Sequence, residues 1–206
     1  MRRRTILVLG AAALFLTACS TPNDGNPTPS VGGTSPAPSS WAGQVPGPDV
    51  PKVSVPIDLT RFRQVPCDAL TSTQAQDLIG PKVEATPRNE SAGPACVWVT
   101  PSTTRPSINV VIGNGPDGGT AAVYAAKGGA YKIVEPLEPI EGYPVTAYEV
   151  LAKRAEGGCA VALGTSDDQT VTVTAEQSEG NIGKKDPCDA ARQAAVSVLA
   201  TLRAAK

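Results

Sequence analysis

The side chains best suited to chemistry in this chain are its five cysteines, because the sequence contains no histidine. A chain without histidine has no Ser-His-Asp or Cys-His nucleophile, no histidine acid or base, and no metal site that needs imidazole. Carboxylate-only and Ser-Lys enzymes pass this test, but no catalytic constellation of either kind stands out. The sequence therefore predicts no catalytic residue, no metal site and no cofactor, and it favours a protein that is not an enzyme.

One cysteine, Cys19, stands where an apolar run gives way to a polar tract. Arg2 to Arg4 form a basic start, and an apolar stretch from Ile6 to Leu16 follows. This stretch is shorter than the roughly 20 residues that a spanning helix needs. The order of basic, apolar and small residues is typical of a cleaved signal peptide. An ordinary signal peptide with an incidental cysteine is the alternative interpretation.

The tetrapeptide Leu16-Thr17-Ala18-Cys19 resembles the bacterial lipobox. The resemblance implies cleavage after Ala18 and attachment of a diacylglycerol, with acyl chains such as palmitate, to the Cys19 thiol. Two or more acyl chains hold a protein stably on a bilayer, whereas one chain holds it only marginally. We therefore expect residues 1–18 to be a lipoprotein signal peptide. The remaining chain should be lipid-anchored on the extracytoplasmic face of the cell membrane.

The segment after Cys19 has the composition of a linker. Residues 20–56 are dominated by Pro, Gly, Ser and Thr, so they cannot bury enough apolar area to offset the entropy of ordering. Residues 19–56 are thus expected to be a lipidated cysteine followed by a disordered linker. Trp41 could dock on the domain or on a partner, although an isolated tethered aromatic is the simpler interpretation. Residues 57–206 have the length and composition of a single globular extracytoplasmic domain.

The charge balance narrows the choice of partners. The chain has 18 basic residues, three of them in the signal peptide, against 19 acidic residues. A mildly acidic chain without a basic run does not suit nucleic acid, whose binding depends on neutralised phosphates. The lipid at Cys19 must supply the membrane binding, and the low aromatic content argues against a stacking platform for sugars or bases. We expect a monomer whose partner is an envelope protein or a lipid ligand.

The four remaining cysteines predict two disulfides. An even number of cysteines in an exported chain is typical of a disulfide framework, and the long spacings without a C-x-x-C pair do not favour the alternative, a four-thiolate zinc site. We prefer the pairs Cys67–Cys96 and Cys159–Cys188, each joining the start of a helix to a nearby strand. The pairing of Cys67 with Cys188 stays open as the second choice.

The chain pattern predicts an α+β fold. A capping box at Thr71 to Gln74 begins a helix that ends near Ile79, and Asp186 with Pro187 begins a long C-terminal helix. Strand-like runs start near residues 95, 108, 132, 143, 158 and 170, and the last two form a hairpin. We expect an antiparallel sheet of about five to six strands, packed by two to three helices that include the long C-terminal one.

Four further features have structural interpretations that outweigh functional ones. The glycine-rich stretch Gly113 to Thr120 lacks the ending of a phosphate-binding loop, and Asp167 with Asp168 suits a hairpin turn better than a cation site. Glu135, Glu138 and Glu141 are interpreted as a solvated acidic loop. Trp98, close to Cys96, is expected in the core.

Several segments together resemble a family of actinobacterial cell-envelope lipoproteins whose four-cysteine domain has no known function. The similar segments are "DLTRFRQVPCDALT", "GPACVW", "EGYPVTA" and "DPCDAARQAAVSVLATL". They are spread over most of residues 57–206. The resemblance implies an envelope location and assigns no activity and no site residue.

These observations favour a membrane-anchored, non-enzymatic module that binds a protein or a cell-envelope ligand. The alternative is a carrier of a small hydrophobic or lipidic ligand, and a carboxylate-based envelope hydrolase is less favoured. A deep apolar cavity under the C-terminal helix would favour the carrier, whereas a filled core with an exposed apolar patch would favour the binding module.

Overall fold

A computed structural model describes residues 50–101 and 106–205 of the chain. Cys19, the expected signal peptide and Trp41 lie outside these residues, so the expectations about them stay predictions. The described strands are β1 (Glu84–Glu90), β2 (Gly93–Val99), β3 (Ser107–Ile112), β4 (Ile133–Ile140), β5 (Tyr143–Glu149), β6 (Gly158–Ser166) and β7 (Gln169–Glu176). The α-helices are α1 (Thr60–Gln64), α2 (Ser72–Ile79), α3 (Gly119–Ala125) and α4 (Pro187–Ala204), with short 3-10 helices at Pro66–Ala69, Arg154–Glu156 and Glu179–Asn181.

The strands form one antiparallel sheet in the order β1-β2-β3-β7-β6-β5-β4. Two meanders, β1 to β3 and β4 to β7, meet where β3 pairs with β7. This architecture confirms the α+β prediction, and β1 is the strand that brings the number to seven. β1 was not predicted, because all seven of its residues are exposed and its sequence shows no alternation of apolar and polar residues.

The outer strands differ from the inner ones in composition. β1 carries Pro87 together with charged side chains, and β4 carries Pro136 and Pro139. Proline lacks the N–H group that a ladder needs, so it is tolerated best at the edge of a sheet. The inner strands β2 and β5 carry a proline only at their second residue, Pro94 and Pro144. Prolines within the strand together with charged side chains agree with the outermost positions of β1 and β4.

The main core lies between the sheet and α4. The inner side of α4 is buried against β6 and β7 through small and medium apolar side chains: Ala191, Ala194, Ala195, Val198, Leu199 and Leu202. Val161, Leu163, Val171 and Val173 meet them from the sheet and are fully buried. Trp98 is 2% exposed and belongs to the same core, as predicted.

Both predicted helix starts form their caps. Thr71 and Gln74 exchange the two hydrogen bonds of a capping box at the start of α2. The Asp186 carboxylate accepts the Cys188 N–H at the start of α4, at 2.9 Å. α2 ends at Ile79, as the sequence predicted, and Gly80 follows it.

The ordered part of the chain begins earlier than Ile57. Val53 is 7% exposed and joins the main core, although residues up to 56 were expected to be linker. The Val53 N–H donates to the Asp167 carboxylate at 2.8 Å, and the Ile57 N–H donates to the Thr165 carbonyl at 2.9 Å. These bonds and one apolar side chain fix residues that composition alone assigns to the linker.

The disulfides pair as predicted. Cys67 in the 3-10 helix Pro66–Ala69 bonds Cys96 of β2, and Cys159 of β6 bonds Cys188 in the first turn of α4. Cys96, Cys159 and Cys188 are buried. Each bridge therefore fastens a helical segment to the sheet from within the core.

Removing the Cys159–Cys188 bridge should lower the free energy of unfolding. Both bridges have a sequence separation of 29 residues, for which loop-closure entropy corresponds to about 3–4 kcal/mol. We expect Cys159→Ala/Cys188→Ala and Cys67→Ala/Cys96→Ala to lose similar amounts in guanidinium denaturation. A loss below about 1 kcal/mol in either double variant, or alkylation of thiols in the unreduced wild-type domain, would contradict this.

Candidate functional site

The sheet has two ends with different surroundings. At one end lies the β6–β7 turn, where residues 50–57 join the sheet; we call it the tether end. At the other end lie the last residues of β7, the start of β6 and the start of α4, which Cys159–Cys188 holds together. β6 and β7 have nine and eight residues, so the two ends are roughly 25–30 Å apart.

The glycine-rich stretch and the aspartate pair meet at the tether end. The Asp117 N–H donates to the Asp168 carbonyl at 2.9 Å. The Asp117 carboxylate accepts the Gly119 N–H at 2.8 Å and the Thr170 hydroxyl at 3.2 Å. Because burial outweighs these hydrogen bonds, the pKa of Asp117 is raised above its ordinary value.

The carboxylates at the tether end brace loops. Asp167 holds the Val53 N–H, and Asp168 accepts the Ser166 hydroxyl. Within residues 50–101 and 106–205, no group of three or more Cys, Asp or Glu side chains is arranged to hold a metal ion. The turn interpretation of these residues therefore agrees with their contacts.

The acidic stretch from Glu135 to Glu141 is organised differently from the expected loop. Glu135 and Glu138 belong to the edge strand β4, which pairs with β5 despite its prolines. Glu135 pairs with Arg154 at 2.8 Å, and Glu141 forms an ion pair with Arg203 of α4. The expectation of a solvated loop was wrong for the first two glutamates, because the apolar positions of β4 still pack against its neighbour.

A cleft lies at the end of the sheet opposite the tether end. It has a volume of about 780 Å³ and is open to solvent between the last residues of α2 and the start of α4. We call it the α2–α4 cleft. Its apolar lining comes from Leu78, Ile79, Ile108, Ala175 and Ala190.

Charged side chains surround this apolar lining. The described lining residues include four carboxylates and two ammonium groups: Asp77, Glu176, Asp186, Asp189, Lys184 and Lys185. Uncharged hydrogen-bonding side chains lie between them: Ser107, Gln177, Ser178, Asn181 and Gln193. The described lining contains no aromatic side chain.

One group in the cleft wall lacks a partner. The Gln177 Oε1 atom is buried and accepts no hydrogen bond from the described part of the chain, whereas its Nε2 donates to the Lys185 carbonyl at 3.3 Å. A buried acceptor without a donor is unfavourable, but this atom is closed to solvent, so a group in the cleft does not reach it in this conformation. Sequence reasoning missed the whole cleft because its residues come from five separate segments.

A second surface lies on the face of the sheet opposite α4. α3 covers only part of it, where Val123 packs on Val134 and Ala162 beside three tyrosines. Tyr148 stacks on Tyr131 at 4.5 Å between ring centroids and shares a hydrogen bond with the Thr172 hydroxyl; burial raises its pKa. A smaller hollow of about 280 Å³ lies between Tyr148 and the exposed side chains of Val150 and Leu151.

Comparison with known proteins identifies a family. The sequence matches DUF3558, described as a protein of unknown function, over residues 14–201. The chain belongs to the DUF3558 family. No curated protein and no solved structure matches it.

The family match covers most of the chain, including the residues that matter for the site. It begins inside the apolar run and includes Cys19, all four disulfide cysteines and the α2–α4 cleft of this DUF3558 protein. Among its described residues, no helix is long and apolar enough to cross a bilayer.

Gly119 provides a test of the loop packing at the tether end. Its φ is +57°, and an added Cβ would lie 2.5 Å from the Asp167 carbonyl oxygen. Gly128 has a φ of +77° with nothing within 4 Å of its Cβ position, so it is a matched control. We expect Gly128→Ala to cost about 1 kcal/mol of stability and Gly119→Ala roughly 2 kcal/mol more in urea denaturation. Equal losses would show that the contact with Asp167 relaxes without cost.

Proposed function

We propose that this DUF3558 protein is a lipid-anchored lipoprotein of the actinobacterial cell envelope that binds an extracytoplasmic protein through the α2–α4 cleft, without catalysing a reaction. The observation that carries the proposal is an open, partly apolar cleft on a domain whose core is filled. Clefts of this size with an apolar lining and a few convergent polar groups are the usual form of a binding site.

The anchor part of the proposal depends on Cys19. The basic start, the short apolar stretch and Leu16-Thr17-Ala18-Cys19 agree with a lipoprotein signal, and the family match includes these four residues. The linker joins the domain at the tether end, so the α2–α4 cleft lies at the end remote from the attachment.

The packing under α4 favours a binding module over a carrier of a small hydrophobic ligand. Ala191, Ala194 and Ala195 are completely buried, and Val198 and Leu199 are 0–1% exposed. Small residues bring the helix close to β6 and β7, and the larger ones fill the remaining space. The site offered to a ligand is therefore a surface cleft.

The carboxyl groups support binding more than hydrolysis. A general acid in a carboxylate-based hydrolase needs a raised pKa at the site of reaction. Burial raises the carboxyl pKa of Asp117, but Asp117 braces the loops at the tether end and does not line the α2–α4 cleft.

The variant Cys19→Ser tests the anchor. Because the serine hydroxyl does not replace the thiol in lipid attachment, we expect the variant to leave the membrane fraction and to carry no acyl mass. Thr21→Ser, two residues further along, is the control and should stay membrane-bound. Normal processing and membrane retention of Cys19→Ser, or wild-type protein without acyl mass at Cys19, would contradict the anchor.

Photo-crosslinking from two positions of α4 tests the binding function. Gln193 lines the cleft, whereas Ala200 is exposed on the same helix but does not line it. With a photoreactive amino acid at each position in intact cells, we expect a discrete protein adduct from position 193 and none from position 200. Adducts of equal yield, or only lipid adducts from position 193, would overturn the proposal.

A further inference from the structure

We infer that the occupant of the α2–α4 cleft is a polypeptide segment in which a lysine or arginine lies beside an aliphatic side chain. This inference rests on the proposed function and specifies the chemistry of the partner. It follows from the charge, the hydrogen-bonding groups and the apolar lining of the cleft taken together.

The charge of the cleft favours a cationic occupant. Asp77 of α2 and Asp189 of α4 come from the two helices that form its walls, and Glu176 adds a third carboxylate from the end of β7. Asp77, Glu176 and Asp189 form no ion pair with another described residue. Lys184 and Lys185 lie in the connection before α4, so a cation is best placed on the Asp77 and Asp189 side.

The remaining polar groups suit a peptide backbone. Ser107, Gln177, Asn181 and Gln193 offer donors and acceptors of the kind that pair with amide groups. The lining by Leu78, Ile79 and Ile108 can bury an aliphatic side chain. A volume of about 780 Å³ is in the range of pockets that hold drug-sized ligands, which is room for one or two side chains of a bound peptide.

Other classes of ligand match the cleft less well. Phosphate groups and anionic lipid headgroups would meet an excess of carboxylates among the described lining residues. Bases and sugar rings bind with stacking on aromatic side chains, which the described lining lacks. A basic and aliphatic peptide satisfies the charged, the polar and the apolar groups together.

Binding of three synthetic peptides to the full chain in a non-ionic detergent tests the inference. The probe is the acetylated and amidated peptide Gly-Lys-Leu-Lys-Leu-Gly; one control replaces its lysines by glutamate and the other replaces its leucines by serine. We expect saturable binding of the probe alone in calorimetry, with amide shifts in NMR at Ala190 and Gln193, and affinity that falls between about 20 and 200 mM salt.

Charge-removing variants show whether the cleft carboxylates are responsible. Asp77→Asn/Asp189→Asn should weaken binding of the probe about fivefold. Glu84→Gln/Glu138→Gln removes the same charge outside the cleft and should leave the affinity unchanged. Thermal unfolding of both variants verifies that they are folded.

Three outcomes would overturn the inference: no binding at about 1 mM probe, equal binding of the acidic control, or shifts confined to residues outside the cleft. Such a result together with a protein adduct from position 193 in cells would refute the peptide chemistry and leave the binding function standing. If position 193 gives no protein adduct in cells, the binding function itself is refuted. Identification of the crosslinked segment by mass spectrometry should find a lysine or arginine within it.

Discussion

The packing of α4 onto β6 and β7 is the contact on which the rest of the structure depends. Its alanine-rich inner side allows a close approach to the sheet, and Cys159–Cys188 fastens the first turn of the helix to β6. Because the contact is both close and cross-linked, no interior space is left for a ligand beneath the helix. Under the proposed function, a partner would be bound at the margins of this contact.

The cleft exists because two neighbouring helices differ in length. Gln74 near the start of α2 contacts Ser197 and Thr201 of α4, through its Nε2 at 3.1 Å and its Oε1 at 2.9 Å. α2 has eight residues and α4 has 18, so α2 covers about 12 Å of a helix about 27 Å long. Where α2 ends at Ile79, the beginning of α4, the start of β3 and the end of β7 remain uncovered. The open space thus follows from the early stop at Gly80.

The elements that could be predicted from the sequence are those whose signals lie within a few consecutive residues. The caps at Thr71 and Asp186, the alternation in β7 and the disulfide partners were readable because each depends on neighbours or on simple pairing. β1 could not be predicted, because Pro87 and its exposed neighbours show no alternation of apolar and polar residues. The cleft was not readable either, because Asp77, Ser107 and Asp189 become neighbours only through the sheet order and the packing of α2 on α4.

The prolines of the outer strands affect how the sheet edges of neighbouring copies of the domain can pair. An unprotected strand edge is a template for pairing with another chain, and the risk grows with local concentration. Attachment to a bilayer would confine the domains to two dimensions, where collisions between copies are frequent. Pro87 on one border and Pro136 with Pro139 on the other interrupt the row of N–H donors that such collisions would need. The domain can therefore be crowded on a surface without its sheets growing into one another.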